Sequence, residues 1–214
     1  MKCDKKDLML YAVTDRTWLG SMTLYEQVEE ALKGGATFVQ LREKKLDDKA
    51  FLKEAFEIKE LCRQYKVPFV INDNVDIAVK VNADGIHIGQ KDMGIGYVRS
   101  VVGEEKILGV SAQTVEQAVL AEKMGADYLG VGAVFSTNSK EDADDVTHET
   151  LKAICEAVSI PIVAIGGIGA GNILELTGSG ICGVAVISAI FAADNIQKST
   201  AELKELTKQV VCND

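Results

Sequence analysis

The stretch Thr37-Phe38-Val39-Gln40-Leu41-Arg42-Glu43-Lys44 decides how the rest of the chain is read. It follows Gly34-Gly35, a pair that stops a helix, and opens with a short apolar run of strand character. Upstream, Thr23-x-x-Glu26 is a capping box that starts the stopped helix. Before that, Leu8-Met9-Leu10-Tyr11-Ala12-Val13 reads as a buried strand ending in Thr14-Asp15. Downstream, Phe51, Ala55, Ile58, Leu61 and Cys62 recur at helical spacing between about Asp47 and Tyr65. Strand and helix therefore already alternate by Tyr65.

The alternation continues to the end of the chain. Further strands are expected at Val67 to Ile71, Gly85 to Ile88, Ile107 to Val110, Tyr128 to Val131, Pro161 to Ile165 and Ile181 to Ile187. Helices are expected near Val75 to Val81, Ile95 to Val102, from a Thr114-x-x-Gln117 cap to Gly125, from Thr147 to Val158 and near Asn172 to Leu176. A last helix carries Ala201, Leu203, Leu206 and Val210. Strands this uniformly apolar, separated by helices, imply a parallel sheet covered on both faces. Eight such units predict an α/β fold of the (β/α)8 TIM-barrel type, with residues 1–214 as a single domain. An open doubly wound sheet would want a GxGxxG turn after its first strand, and Val13-Thr14-Asp15-Arg16 offers none. The glycines from Gly166 to Gly171 have another spacing and come late.

Composition narrows the function. The chain is 47% apolar with 19 Gly and 2 Pro, which suits a real core joined by many tight turns. A formal charge of −9 with no basic stripe argues against nucleic acid. No run reaches membrane-spanning length, and Met1 to Asp7 leads into only a brief apolar segment, unlike a signal peptide. The five cysteines form no CxxC pair and no His cluster joins them. Reduced thiols in a cytoplasm are the expected state, and a structural zinc site is disfavoured.

An acidic protein that binds an anion needs local cations or a metal. Read as a strand end, the opening stretch puts Gln40, Arg42 and Lys44 on one side, where Arg42 can fork two oxygens and Lys44 adds a mobile charge. The competing reading is a solvated charge run, since Glu43 and Lys45 are neighbours. Chemistry in such barrels gathers at the C-terminal strand ends, where Asn72-Asp73, Gln90, Asp92, Ser111 and the Ser136–Lys140 loop also fall. Asp73 and Asp92 follow neighbouring strands about 5 Å apart, so both can reach one Mg²⁺, which takes one or two protein carboxylates. The metal and the cations would then hold a pyrophosphate. Gly166-Gly167 and Ile187-Ser188, after strands seven and eight, match the usual barrel phosphate cradle. The loop from Gly132 to Val146 is long enough to be a lid or binding segment, with Thr137, Ser139 and Lys140 as candidates. His87 and His148 read as structural, and no Ser-His-Asp or Cys-His arrangement suggests a protein nucleophile.

These segments resemble the thiamine phosphate synthase family across nearly the whole chain. The matching stretches are Tyr11–Asp15, Gln40–Lys44, Asn72-Asp73, Gly85–Gln90 with Asp92, Gly109–Ser111, Gly132–Lys140 and Ile165–Ile168. The resemblance implies an enzyme that joins a hydroxymethylpyrimidine diphosphate to a thiazole phosphate and releases pyrophosphate. It implies that Gln40, Arg42, Lys44 and Asn72 hold the pyrimidine diphosphate, with Leu41 and Glu43 of the same stretch as further substrate-binding residues, and that Ser111 lines the pyrimidine pocket. Asp73 and Asp92 would bind one Mg²⁺, with Lys140 reaching the pyrophosphate. Thr137, Ser139, Gly167, Ile187 and Ser188 would hold the thiazole phosphate, with Asn138 as a further substrate-binding residue of that loop. Arg42, Lys44, Lys140 and Ser111 would carry the catalytic roles. The chain departs from the family's Pro-Thr-x-Thr-Lys loop at Ser136 and Ser139, and has Gln113 where many relatives carry histidine. Two other functions fit the fold: a thiazole tautomerase, which would not need Arg42, Lys44, Asp73 and Asp92 together, and a non-catalytic barrel that binds thiazole phosphate. A homo-oligomer is compatible with the sequence.

Overall fold

A computed structural model of the chain describes residues 3–89, 94–136 and 146–212. Eight parallel strands close into a barrel in chain order. They are β1 (Leu10–Val13), β2 (Phe38–Leu41), β3 (Phe69–Asn72), β4 (Gly85–Ile88), β5 (Ile107–Ala112), β6 (Tyr128–Val131), β7 (Ile162–Ile165) and β8 (Gly183–Val186). Tyr11 of β1 sits opposite both Phe38 of β2 and Ala185 of β8, and the second pairing closes the sheet. The helices are α1 (Leu24–Gly34), α2 (Asp48–Tyr65), α3 (Val75–Lys80), α4 (Ile95–Val102), α5 (Val115–Lys123), α6 (His148–Ala157), α7 (Ser188–Phe191) and α8 (Ile196–Val211). The expected TIM barrel is therefore the fold.

Two apolar layers follow from the alternation of side chains along each strand. Leu10, Ala12, Val39, Leu41, Ile71, Leu108 and Val110 face outward into a core shared with the helices, meeting Val28, Ile58 and Leu203 there. Tyr11, Val13, Phe38, Val70, Ile107, Tyr128, Val163 and Ala185 fill the barrel itself. Large and small residues are matched across that interior. A Cβ on Gly109 would lie 2.1 Å from the Tyr128 ring, so the Tyr128 side chain occupies the space that Gly109 leaves free.

The capping box at Thr23 and Glu26 forms in both directions. At α5 only half of the expected box does. Thr114 accepts from the Gln117 N–H, but the Gln117 side chain accepts from the Gln113 N–H instead. The helix expected after β7 is a 3-10 turn, Ile173–Leu176. Left-handed Gly178 and Gly180 close it before an α-helix has room to propagate. β5 runs on to Ala112, which puts Ser111 inside the ladder opposite Gly130 rather than at the strand's end. β2 stops at Leu41, so Arg42 and Lys44 lie beyond the ladder and alternation does not place them.

Candidate active site

The β1 and β2 ends are stitched together above the barrel. Thr14 is fully buried. Its hydroxyl accepts the Arg42 N–H at 2.9 Å and donates to the Arg42 carbonyl at 3.4 Å. The Arg42 guanidinium reaches back to Asp15 at 3.1 Å. Burial alone would raise the Asp15 carboxyl. Hydrogen bonds from Thr17 and the charge of Arg42 outweigh it and hold the group below its usual range. Glu43 turns its carboxylate into its own loop, where Oε1 accepts the N–H groups of Lys44 and Lys45 at 2.8 and 2.7 Å. Lys44 is exposed. Leu41 is buried in the outer core, so only its backbone faces the rim.

Gln40 points the other way, into the barrel, and begins a chain of buried hydrogen bonds. Its amide nitrogen donates to the Tyr11 hydroxyl. Tyr11 and Tyr128 hydroxyls are 2.8 Å apart, Tyr128 lies 3.0 Å from His87 Nδ1, and His87 Nε2 lies 3.0 Å from Ser111 Oγ. The direction in which both buried phenol protons find an acceptor runs from Gln40 toward Ser111. Tyr11 already accepts from Gln40 and has one proton, which goes to Tyr128. Tyr128 then spends its own proton on His87 Nδ1. In that direction His87 is the Nε2–H tautomer, which donates to Ser111. Burial pushes both phenols well above their ordinary pKa, so neither ionises near neutrality.

At the next strand end, Asp73 adopts a left-handed backbone with φ of 61°, a conformation that aspartate tolerates better than most residues. Its N–H bonds the His87 carbonyl at 2.9 Å, and its carboxylate accepts from Asn72 at 2.5 Å. Asp73 therefore sits beside the braced basic loop, because β2 and β3 are paired through Leu41 and Ile71. Its predicted partner Asp92 lies outside the described residues, as does Gln90. Among the described residues there is no cluster of three His, Cys, Asp or Glu groups suited to a metal. Mg²⁺ asks only for one or two carboxylates, with phosphate and water oxygens completing its shell, so a hard oxygen donor at Asp73 fits it. His87 has both ring nitrogens engaged by Tyr128 and Ser111.

The opposite side of the rim is built on close approach. Gly167 has φ of 65°, and a Cβ there would lie 2.6 Å from the Ser136 carbonyl oxygen. Glycine lets the segment after β6 cross directly over the end of β7, where Val134 and Phe135 donate to the Ile165 and Gly166 carbonyls at 3.0 and 3.1 Å. Asn172 locks the turn by donating to the Gly167 carbonyl and accepting the Gly169 N–H, each at 2.9 Å. Ile187 caps α7, whose first residue is Ser188. The segment after β6 returns at Val146, whose N–H bonds the Ala133 carbonyl at 2.7 Å. The candidates Thr137, Asn138, Ser139 and Lys140 lie outside the described residues.

Sequence reasoning missed Thr14, Asp15 and Arg16 as partners of the basic loop, and Tyr11 and Tyr128 as partners of Gln40 and His87. Thr14-Asp15 was visible as a strand end, but nothing local points to contacts 27 or 28 residues away.

A closed (β/α)8 barrel with a tethered arginine, an exposed lysine beside it, a carboxylate at the neighbouring strand end and a glycine turn on one rim belongs to the class of small-molecule enzymes that handle phosphorylated substrates. The chain belongs to the thiamine monophosphate synthase family, whose model matches residues 10–190. The thiamine-phosphate synthase of Clostridium tetani is 53% identical over 197 residues, covering 92% of this chain and 94% of that protein. Its counterpart from Clostridium botulinum is 50% identical over 202 residues, covering 94% and 95%. The solved thiamine phosphate pyrophosphorylase from Pyrococcus furiosus superposes with a TM-score of 0.90 at 40% identity, covering 97% of this chain and 98% of that one.

Proposed function

We propose that this chain is a thiamine-phosphate synthase, a transferase working as one barrel domain over residues 1–214. It would join 4-amino-2-methyl-5-hydroxymethylpyrimidine diphosphate to 4-methyl-5-(2-phosphoethyl)thiazole. The observation that carries the reading is the Arg42–Lys44 loop braced beside Asn72-Asp73, in a chain half identical to proteins of that name.

Arg42 and Lys44 grip the diphosphate, with Gln40 and Asn72 facing the pyrimidine side. Ser111, beside His87, lines the pyrimidine pocket. Lys140 meets the leaving pyrophosphate from the loop after β6. Thr137, Asn138, Ser139, Gly167, Ile187 and Ser188 hold the thiazole phosphate across the pocket. Asp73 and Asp92 would hold one Mg²⁺, which when bound supplies positive charge against the diphosphate oxygens. The bond from the pyrimidine methylene carbon to the diphosphate oxygen breaks, and its electron pair leaves with pyrophosphate. The thiazole nitrogen lone pair then forms the new C–N bond. Arg42, Lys44 and Lys140 stabilise charge growing on the leaving group, and the cradle supplies proximity. No side chain need act as a nucleophile.

The partners on this reading are two small anions, without nucleic acid, in keeping with the charge of −9. No helix among the described residues is long and apolar enough to cross a membrane. All five cysteines are free, as a reducing cytoplasm would leave them. Self-association is compatible with this scheme, and light scattering reads it directly.

Incubation with both substrates and Mg²⁺, followed by chromatography for thiamine phosphate and pyrophosphate, tests the reading. Product is expected, and Asp73→Ala should abolish it at ordinary Mg²⁺ levels. Proton exchange on the thiazole alone would point to a tautomerase, and thiazole phosphate binding without turnover to a sensor.

A further inference from the structure

A charged knot lies beneath the basic loop, made by residues that the reaction above leaves without a task. Arg16, in the 3-10 turn after β1, pairs through Nε with Glu43 and through Nη2 with Glu54 of α2. The Arg16, Glu43 and Glu54 side chains are only 23%, 1% and 16% exposed, so salt screens their pairing weakly. Glu43 spends both oxygens internally, one on Arg16 and the other on the Lys44 and Lys45 N–H groups. Two consequences follow. The N–H groups of Lys44 and Lys45 are committed to Glu43, so an anion at this loop is held by side chains and not by a backbone nest. Secondly, a carboxylate between Arg42 and Lys44 repels a diphosphate, and Arg16, which it shares with Glu54, offsets part of that charge and draws the carboxylate into the knot.

Glu54 completes the arrangement. Its Oε1 takes Arg16 Nη2, while its Oε2 is buried without a hydrogen-bond partner among the described residues. Burial raises its carboxyl above the usual range, and Arg16 offsets this only in part. An orphaned carboxylate oxygen costs stability. What the site gains is orientation, because a guanidinium anchored at Nη2 presents Nε to Glu43 in a fixed plane.

We propose that Arg16, anchored by Glu54, is a positioning residue for the diphosphate: it offsets the charge of Glu43 and fixes it as the acceptor that shapes the Arg42–Lys45 loop. The role in turnover rests on the synthase reading, whereas the effect on anion binding does not. The variants are Arg16→Met, Arg16→Lys, Glu54→Gln and Glu43→Gln. Each is measured well below its Tm for steady-state kinetics with both substrates, and by calorimetry for Mg²⁺-pyrophosphate binding. Arg16→Met should raise the KM for the pyrimidine diphosphate about tenfold or more and weaken pyrophosphate by a similar factor, as expected for losing a charge-assisted contact. The KM for the thiazole phosphate should stay within about twofold of wild type, since the cradle lies on the opposite side of the rim. Arg16→Lys should recover part of the loss, and Glu54→Gln and Glu43→Gln should fall between. A lowered Tm with unchanged KM and pyrophosphate affinity would make Arg16 merely structural and overturn the inference; so would equal losses for both substrates. If Arg16→Met does not fold, Arg16→Lys and Glu43→Gln decide by the same criteria. Wild-type protein that binds pyrophosphate through Arg16 yet makes no thiamine phosphate would sink the synthase reading alone. Wild type that binds no pyrophosphate overturns both.

Discussion

Tyr128→Phe removes a single oxygen from the middle of the barrel and tests the chain that links Gln40 to Ser111. That oxygen lies 2.8 Å from the Tyr11 hydroxyl and 3.0 Å from His87 Nδ1, accepting from the first and donating to the second in the direction assigned above, and the residue is fully buried. Phenylalanine fills almost the same space, so the cavity term is small. The Tyr11 proton and the His87 lone pair are left without partners in a site that water does not reach. An unsatisfied buried group costs about 1–3 kcal/mol, so the two together predict a loss of about 2–6 kcal/mol. For a chain of this size that corresponds to a Tm drop of roughly 5–25 °C. Urea denaturation of the wild type, Tyr128→Phe, Tyr11→Phe and the double variant measures both the loss and its coupling. The two hydroxyls share one hydrogen bond, so the double variant should be milder than the sum by at least about 1 kcal/mol. A loss under about 0.5 kcal/mol for Tyr128→Phe, or strict additivity in the cycle, would refute the directed chain and with it the assigned His87 tautomer.

Other outcomes follow from the same geometry. Gly109→Ala drives a methyl into the Tyr128 ring and should cost about 1–3 kcal/mol or more, read by the same urea titration. Asp15 and Glu43 both have carboxyl pKa values lowered by folding, although burial alone would raise each; hydrogen bonds and the charges of Arg42 and Arg16 prevail. Their contribution is therefore fully present above the unfolded carboxylate pKa of about 4 and lost as pH falls through the lower folded values. Asp15→Asn and Glu43→Gln should flatten the acid limb of a stability profile, and an unchanged limb would remove that assignment. Burial raises the thiol of Cys182 to about 11 and pushes those of Cys3 and Cys62 higher, whereas Cys212 is exposed. Iodoacetamide at neutral pH, followed by mass spectrometry, should label Cys212 and spare Cys62 and Cys182 until the protein unfolds.

The barrel was legible because its signals are local and repeated. Each apolar strand is bounded by glycine or a capping residue, and the eight units need only follow one another to close a sheet. The rim position of Asn72-Asp73 and the cradle glycines were legible for the same reason, since a strand end is a sequence-level event. Strand length was less so: β2 stops at Leu41, and what carries Arg42 and Lys44 onward is Glu43 folding back on its own loop. Alternation would have placed Arg42 and Lys44 beside Gln40, whereas Gln40 turns inward and Arg42 is tied to Asp15.

The sequence by itself determined the architecture, the family and that Arg42, Lys44 and Asp73 follow neighbouring strand ends. It did so because hydrophobic period, caps and glycine stops act over a few residues and survive in a one-dimensional string. Tertiary structure alone decided that Thr14, Asp15 and Arg16 brace the basic loop, and that His87 serves Ser111 through a line of buried phenols. Those contacts join residues 24 to 117 positions apart, and only closing the barrel brings them within hydrogen-bonding distance.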